Sequence, residues 1–155
     1  MVVMGWLEWM PLRWGKVHVP EMVWTELRHR SVGGDWDQLE DARCQGWLRV
    51  TAITDMAAVE ALGAEDLHPG ECEAITLAGE LHAACLIIDE RDGRRAATSR
   101  HLPITGTVGM VLWAKFNGLI PSAREAMVEL RRQANFFLDD GLIEHIARAA
   151  AEANI

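Results

Sequence analysis

Ala84-Cys85-Leu86-Ile87-Ile88-Asp89 places five apolar residues before an acid. That is the form of a short strand buried on both faces, with a carboxylate at its carboxyl end. Working outward, short apolar runs alternate with amphipathic segments joined by a few residues of Gly, Pro, Asp or Thr, the pattern of βαβ units. Upstream, Lys16 to Val19 reads as a strand, and Pro20 opens a helix to about Arg30 with Glu21 in its first turn. Asp35 reads as the cap of a second helix ended by Gly46, Trp47 to Ile53 as a strand, Thr54 to Ala61 as a short helix and Glu71 to about Ala83 as a longer one. Downstream come a basic helix near Arg94 to Arg100, an extended Leu102 to Thr105, and a helix from Thr107 to Asn117 ended by Gly118. Ser122-Ala123-Arg124-Glu125 starts another helix after Pro121, and an alanine-rich helix runs from Asp140 to about Ala153. The expected fold class is α/β, a short and mostly parallel sheet flanked by helices.

A chain of 155 residues is long enough to bury roughly 68–70% of its unfolded surface and reads as one continuous domain, 1–155. Half the residues are hydrophobic and the net charge is −8, so no general field draws the protein to nucleic acid or an anionic membrane. A polyanion would need a local patch or a metal. Cys44, Cys72 and Cys85 are odd in number and lack CxxC spacing, which argues against a disulfide framework and for a reducing, cytoplasmic setting. No 18 apolar residues run together, and the opening MVVMGWLEWM lacks a basic start and is interrupted by Glu8; neither a membrane span nor an export signal is expected.

Several reaction classes lack their motifs. There is no GxSxG elbow, no GxxxxGK[ST] phosphate loop, no HExxH and no cysteine pair for zinc. The six histidines are scattered and read as surface or core. Gly106-Thr107-Val108-Gly109 reads as a strand-to-helix corner. What remains is carboxylates. Ligands of open α/β sheets bind beyond the carboxyl ends of the strands, where Asp89 lies. Glu71 opens a helix on the stripe shared with Ile75 and Ala78, so its carboxylate needs a partner. Glu73, on the side shared with Leu77 and Glu80, reads as solvent-exposed. Glu26, placed by Met22 and Val23 to reach inward, could instead pair with Arg30 on a solvated surface. Three converging acids repel one another unless a cation neutralises them, and Mg²⁺ or Mn²⁺ suits oxygen ligands and can activate water for phosphodiester cleavage. Arg91, Arg94, Arg95 and Arg100 cluster just after Asp89, as a phosphate backbone would require; a solvated helix face is the ordinary alternative.

The order of these motifs resembles that of PIN-domain nucleases. Val17-His18-Val19-Pro20-Glu21-Met22-Val23-Trp24-Thr25-Glu26-Leu27 is similar to their V-x-V-P-x-x-V-x-x-E-L segment, and Gly70-Glu71-Cys72-Glu73-Ala74-Ile75 to the helix start carrying their third acid. Leu86-Ile87-Ile88-Asp89-Glu90, Gly93-Arg94-Arg95-Ala96-Ala97 and Ile104-Thr105-Gly106-Thr107-Val108-Gly109 resemble a bacterial and archaeal subgroup usually described as a domain of unknown function. The resemblance covers about residues 16 to 150. It implies a PIN-like three-layer α/β domain, Mg²⁺ or Mn²⁺ held by Glu26, Glu71 and Asp89 as second, third and fourth acids, and Arg94 or Arg95 near the phosphate. It further implies RNA as substrate and a toxin component neutralised by an antitoxin protein. The family's first aspartate has no match: Leu7 to Trp14 resembles the tail of the helix that follows it, so the domain reads as N-terminally shortened, with Met1 to Met4 the remaining candidate for the first strand. A catalytically impaired PIN-like module that binds protein or nucleic acid is the alternative expectation. Apolar faces at Trp6 to Trp14 and on the last helices allow a homodimer.

Overall fold

Chain entry is through α1, Trp9–Trp14, whose Met10 packs against two separate hydrophobic clusters and so joins the halves of the molecule. Strand β1, Val17–Pro20, leads into α2, Glu21–Arg30. The Pro20 ring presets the backbone angle for the turn into the helix, and Glu21 meets the positive end of the helix dipole. Helix α3, Asp35–Cys44, returns the chain to β2, Leu48–Thr51. This computed structural model describes residues 5–31, 33–134 and 138–152; Met1 to Met4, the candidate first strand, lie outside them, as does Ala153 at the expected end of the last helix. Asp35 stands one residue inside α3, not at its cap, which falls on Gly34.

Helices α4, Met56–Gly63, and α5, Pro69–Glu80, precede β3, Leu86–Ile87. After them come α6, Arg91–Ser99, β4, Ile104–Thr105, and α7, Thr107–Phe116. Two further helices, α8, Ala123–Ala134, and α9, Asp140–Glu152, end the described chain. Ser122 Oγ accepts from the Glu125 N–H at 3.2 Å, which supplies the expected cap of α8.

The strands pair in parallel, as expected for crossover connections through helices. They do so as two separate pairs, β1 with β2 and β3 with β4, and α5 packs against both β1 and β3. The expected strand Ala84 to Ile88 narrows to Leu86–Ile87 because its partner is short: Pro103 accepts from the Leu86 N–H but has no N–H of its own to extend the ladder.

Three hydrophobic clusters form the core among the described residues. One lies between β1, β2 and helices α2 and α3, around Leu39 and Leu48. A second joins α4, α5, α6 and β3, around Leu62, Ile75 and Ala97. The third packs α7, α8 and α9 around Met110, Met127 and Leu130, with Trp6 and Trp9 stacked 4.7 Å apart at its edge. Amphipathic α8 and α9 supply apolar residues at helical spacing, such as Ile143, Ile146 and Ala150. No helix among the described residues is long and apolar enough to cross a membrane.

Candidate active site

Pro69 begins α5 and has no N–H to satisfy, so the cap falls on the residue before it, His68. The Gly70 N–H donates to His68 Nδ1 at 3.3 Å, and the His68 N–H donates to Glu71 Oε2 at 3.1 Å, a reciprocal capping box with histidine in the usual Ser or Thr position. The same ring nitrogen stands 3.5 Å from Glu26 Oε1 on α2. Thus His68, read from sequence as one scattered histidine among six, links two candidate acids that lie 45 residues apart. Glu26 does not take Arg30 as a partner; its carboxylate lies over Gly70, 3.1 Å from where a Cβ would be.

Glu71 has one oxygen in the capping box and one with no partner. Glu71 Oε1 is buried and accepts no hydrogen bond. It rests against Gly93 in the first turn of α6, where a Cβ would collide with it and with Ile88 Cδ1; only glycine permits this approach. Glu73, expected in solvent, is half-buried and accepts the Met22 N–H at 3.0 Å, tying the start of α2 to α5. An acid at the positive end of a helix explains that placement.

Asp89 follows β3 and is exposed, yet both of its oxygens are engaged. Oδ1 accepts from the Thr107 N–H at 2.8 Å and Oδ2 from the Thr107 hydroxyl at 2.6 Å. The Gly106-Thr107 corner is the expected strand-to-helix turn, and it is also the seat of Asp89: a Cβ on Gly106 would stand 2.5 Å from Asp89 Oδ1 and 3.1 Å from Arg94 Nη1. Arg94 reaches back over this seat to donate to the Ile88 carbonyl at 2.8 Å. Arg95 is exposed and pairs with Asp92 at 3.4 Å, while Arg100 pairs with Glu65 at 2.6 Å. The basic cluster is therefore partly neutralised by its own neighbours, and Arg91 stands exposed at the start of α6.

Glu26, Glu71 and Asp89 accordingly line the neighbouring starts of α5, α6 and α7. As placed, no three acid, histidine or cysteine side chains among the described residues stand close enough to enclose an ion. The fit to a cation rests on Glu71: a buried carboxylate oxygen without a donor is a costly arrangement that a bound cation would relieve. Burial pushes the Cys72 and Cys85 thiols up, so neither is poised as a thiolate nucleophile.

Parallel strands joined through crossover helices define an α/β domain. The chain belongs to the PIN-domain family: the family described as DUF3368, PIN domain, matches residues 2–152. That membership places it in the nuclease superfamily, whose PIN domains act on nucleic acid and generally use divalent metal ions. No curated protein and no solved structure matches the chain.

Proposed function

We propose that this chain is a metal-dependent ribonuclease and the toxin component of a toxin–antitoxin pair, with Glu26, Glu71 and Asp89 as its metal-binding acids. The observation that supports this most is the buried, unpartnered Glu71 Oε1 in a PIN-family chain. Mg²⁺ or Mn²⁺ bound there would supply Lewis-acid polarisation of a phosphodiester and activation of a water. Glu71 presents the oxygen that lacks a donor; Glu26 adds a second carboxylate across His68; Asp89, two of whose lone pairs are taken by Thr107, keeps others free on its exposed side. Arg94, beside Asp89 at the Gly106 corner, and the exposed Arg95 on the same helix would attract the phosphate backbone, with Arg94 also fixing the turn at Ile88.

The test is a Mn²⁺ titration with an RNA cleavage assay on wild type, Glu71→Gln and Asp89→Asn. Both variants are expected to bind the ion more weakly and to cleave more slowly; wild-type behaviour of both in both assays defeats the assignment. The engagement of Asp89 by Thr107 favours a second reading, a module that binds RNA without cutting it, which metal-independent RNA binding with no cleavage by the wild type would establish.

A further inference from the structure

Strand β2 is an edge, and its outer side is open. Among the described residues it pairs only with β1, and the Val17 N–H donates to the Trp47 carbonyl at 2.7 Å. Backbone groups alternate sides along a strand, so Trp47, Arg49 and Thr51 turn theirs toward β1, while the N–H and C=O of Leu48 and Val50 point outward. That outer edge, with His18 and Arg43, lines an open cleft of about 560 Å³. The space continues to the start of the strand, where a Cβ on Gly46 would meet nothing within 4 Å. Among the described residues no acid lines the cleft. Arg43 pairs with Glu40 at 2.7 Å, but Arg49 is exposed and forms no ion pair among the described residues. His18 stands beside Arg49 in register, and its Nδ1 lies 2.9 Å from Thr51 Oγ1. With that hydroxyl donating, the ring keeps an N–H on Nε2 for an acceptor. In a chain of net charge −8, this edge is a local seat of positive charge.

We propose that the outer edge of β2 is a docking site for an extended, acidic segment of another protein, which adds to the sheet as a further strand. The outward N–H and C=O groups of Leu48 and Val50 alternate donor and acceptor, and the backbone of an added strand matches both kinds. A phosphate backbone supplies acceptors alone and would leave both carbonyls unmatched. Alternation also sets the sequence that the edge reads. Side chains of the added strand on the face of His18 and Arg49 meet positive charge and should be Glu or Asp. Those on the opposite face meet half-buried Val50 and should be apolar. The edge belongs to the β1–β2 pair, whereas Asp89 follows the β3–β4 pair, so this surface goes beyond the nuclease reading and does not depend on it.

The experiment uses the full chain and a fluorescein-labelled octapeptide of alternating valine and glutamate, titrated by fluorescence anisotropy. Its controls are the valine–lysine counterpart, a copy with methylated backbone amides, and an oligouridylate of equal length. The valine–glutamate peptide is expected to bind, and the two peptide controls are not. In amide hydrogen exchange the bound peptide should protect Leu48 and Val50, whose N–H groups point outward, and leave Arg49 and Thr51 as they were. Arg49→Glu should weaken binding about tenfold or more. Val50→Pro removes one outward donor and none from the ladder with β1, a change an edge strand tolerates, and should weaken binding about threefold to tenfold. Equal binding of the methylated peptide, or no protection at Leu48 and Val50, would mean attraction by charge alone and overturns strand addition. Undiminished binding to Arg49→Glu overturns the acidic preference, and a valine–glutamate peptide that does not bind overturns the site. Tighter binding of the oligouridylate, lost in Arg49→Glu, would make the edge a nucleic-acid surface and overturns the proposal as well.

Discussion

Glu71 and Asp89 are acids at neighbouring helix starts, and they are held in opposite ways. Asp89 is exposed and has a donor for each oxygen, both from Thr107. Glu71 is half-buried and has a donor for one oxygen only, its own capping partner His68. A carboxylate fully satisfied by one residue builds structure, since it fixes the start of α7 on the end of β3. A carboxylate left short of a donor in the interior costs stability and is retained where it serves a ligand. The contrast divides the site into a supporting half and a reactive half, and substitutions should separate the two by sign as well as by size.

The largest effect is expected at Glu71. In Glu71→Gln the side-chain amide oxygen can still accept from His68, so the capping box survives while the buried negative charge is removed. RNA cleavage should fall by about a hundredfold or more, yet the melting temperature in a metal chelator should not drop. A fall in both together, measured by cleavage assay and calorimetry, would give Glu71 the same supporting role that Thr107 gives Asp89 and erase the distinction.

Next come the glycines that admit each acid. Gly93→Ala drives a methyl into the Glu71 carboxylate and the Ile88 side chain, and Gly106→Ala drives one toward Asp89 and the Ile88 carbonyl, 3.3 Å away. Each should destabilise by about 1–3 kcal/mol. Gly93→Ala should weaken cation binding the more, because it displaces the donorless oxygen; equal losses of metal affinity in the two variants would mean that both acids serve the ion alike. Smaller still is the cap itself. Asp89→Ala should cost about 0.5–2 kcal/mol in denaturant unfolding, and combined with Thr107→Val it should be less than additive, since the two changes remove parts of one interaction.

The sequence made the supporting half readable and hid much of the reactive half. Pro20, Asp89 and Gly118 punctuate the chain where local backbone chemistry demands it, so the alternation of strands and helices, and with it the PIN-like fold, follows from neighbours in sequence. Strand lengths do not, because the ladder at Leu86–Ile87 is limited by Pro103, the residue just before the partner strand. Glu71 could be recognised as an acid needing a partner from its place on the inward stripe of α5. The link from His68 to Glu26 could not, since it depends on α2 and α5 packing side by side. The place of Glu73 is hidden for the same reason: its partner is the Met22 N–H of another helix. One signal was present in the chain, the His68-Pro69-Gly70-Glu71 run, in which an acid three residues after a polar residue before proline has the spacing of a capping box.

The smallest expected effect lies at the far end of α5 and repeats the Asp89 pattern on the surface. Glu80 Oε1 accepts from the Asp55 N–H at 2.6 Å and from the Thr54 N–H and hydroxyl at 2.9 Å. The hydrogen bond from the Asp55 backbone, more than any other contact, holds the Glu80 carboxyl below the usual glutamate range. A folded-state value depressed below the unfolded one means that the carboxylate's contribution is fully present above the ordinary glutamate range and is lost as pH falls through the lowered value. Glu80→Gln should therefore lower the neutral limb of a stability-versus-pH curve slightly and flatten its acid limb, so that it meets wild type at low pH, whereas Glu71→Gln in chelator should leave the neutral limb level or higher. Curves of the same shape for the two variants would show that a donor-rich surface acid and a donor-poor interior acid on one helix are energetically alike, which the hydrogen-bond pattern of α5 argues against.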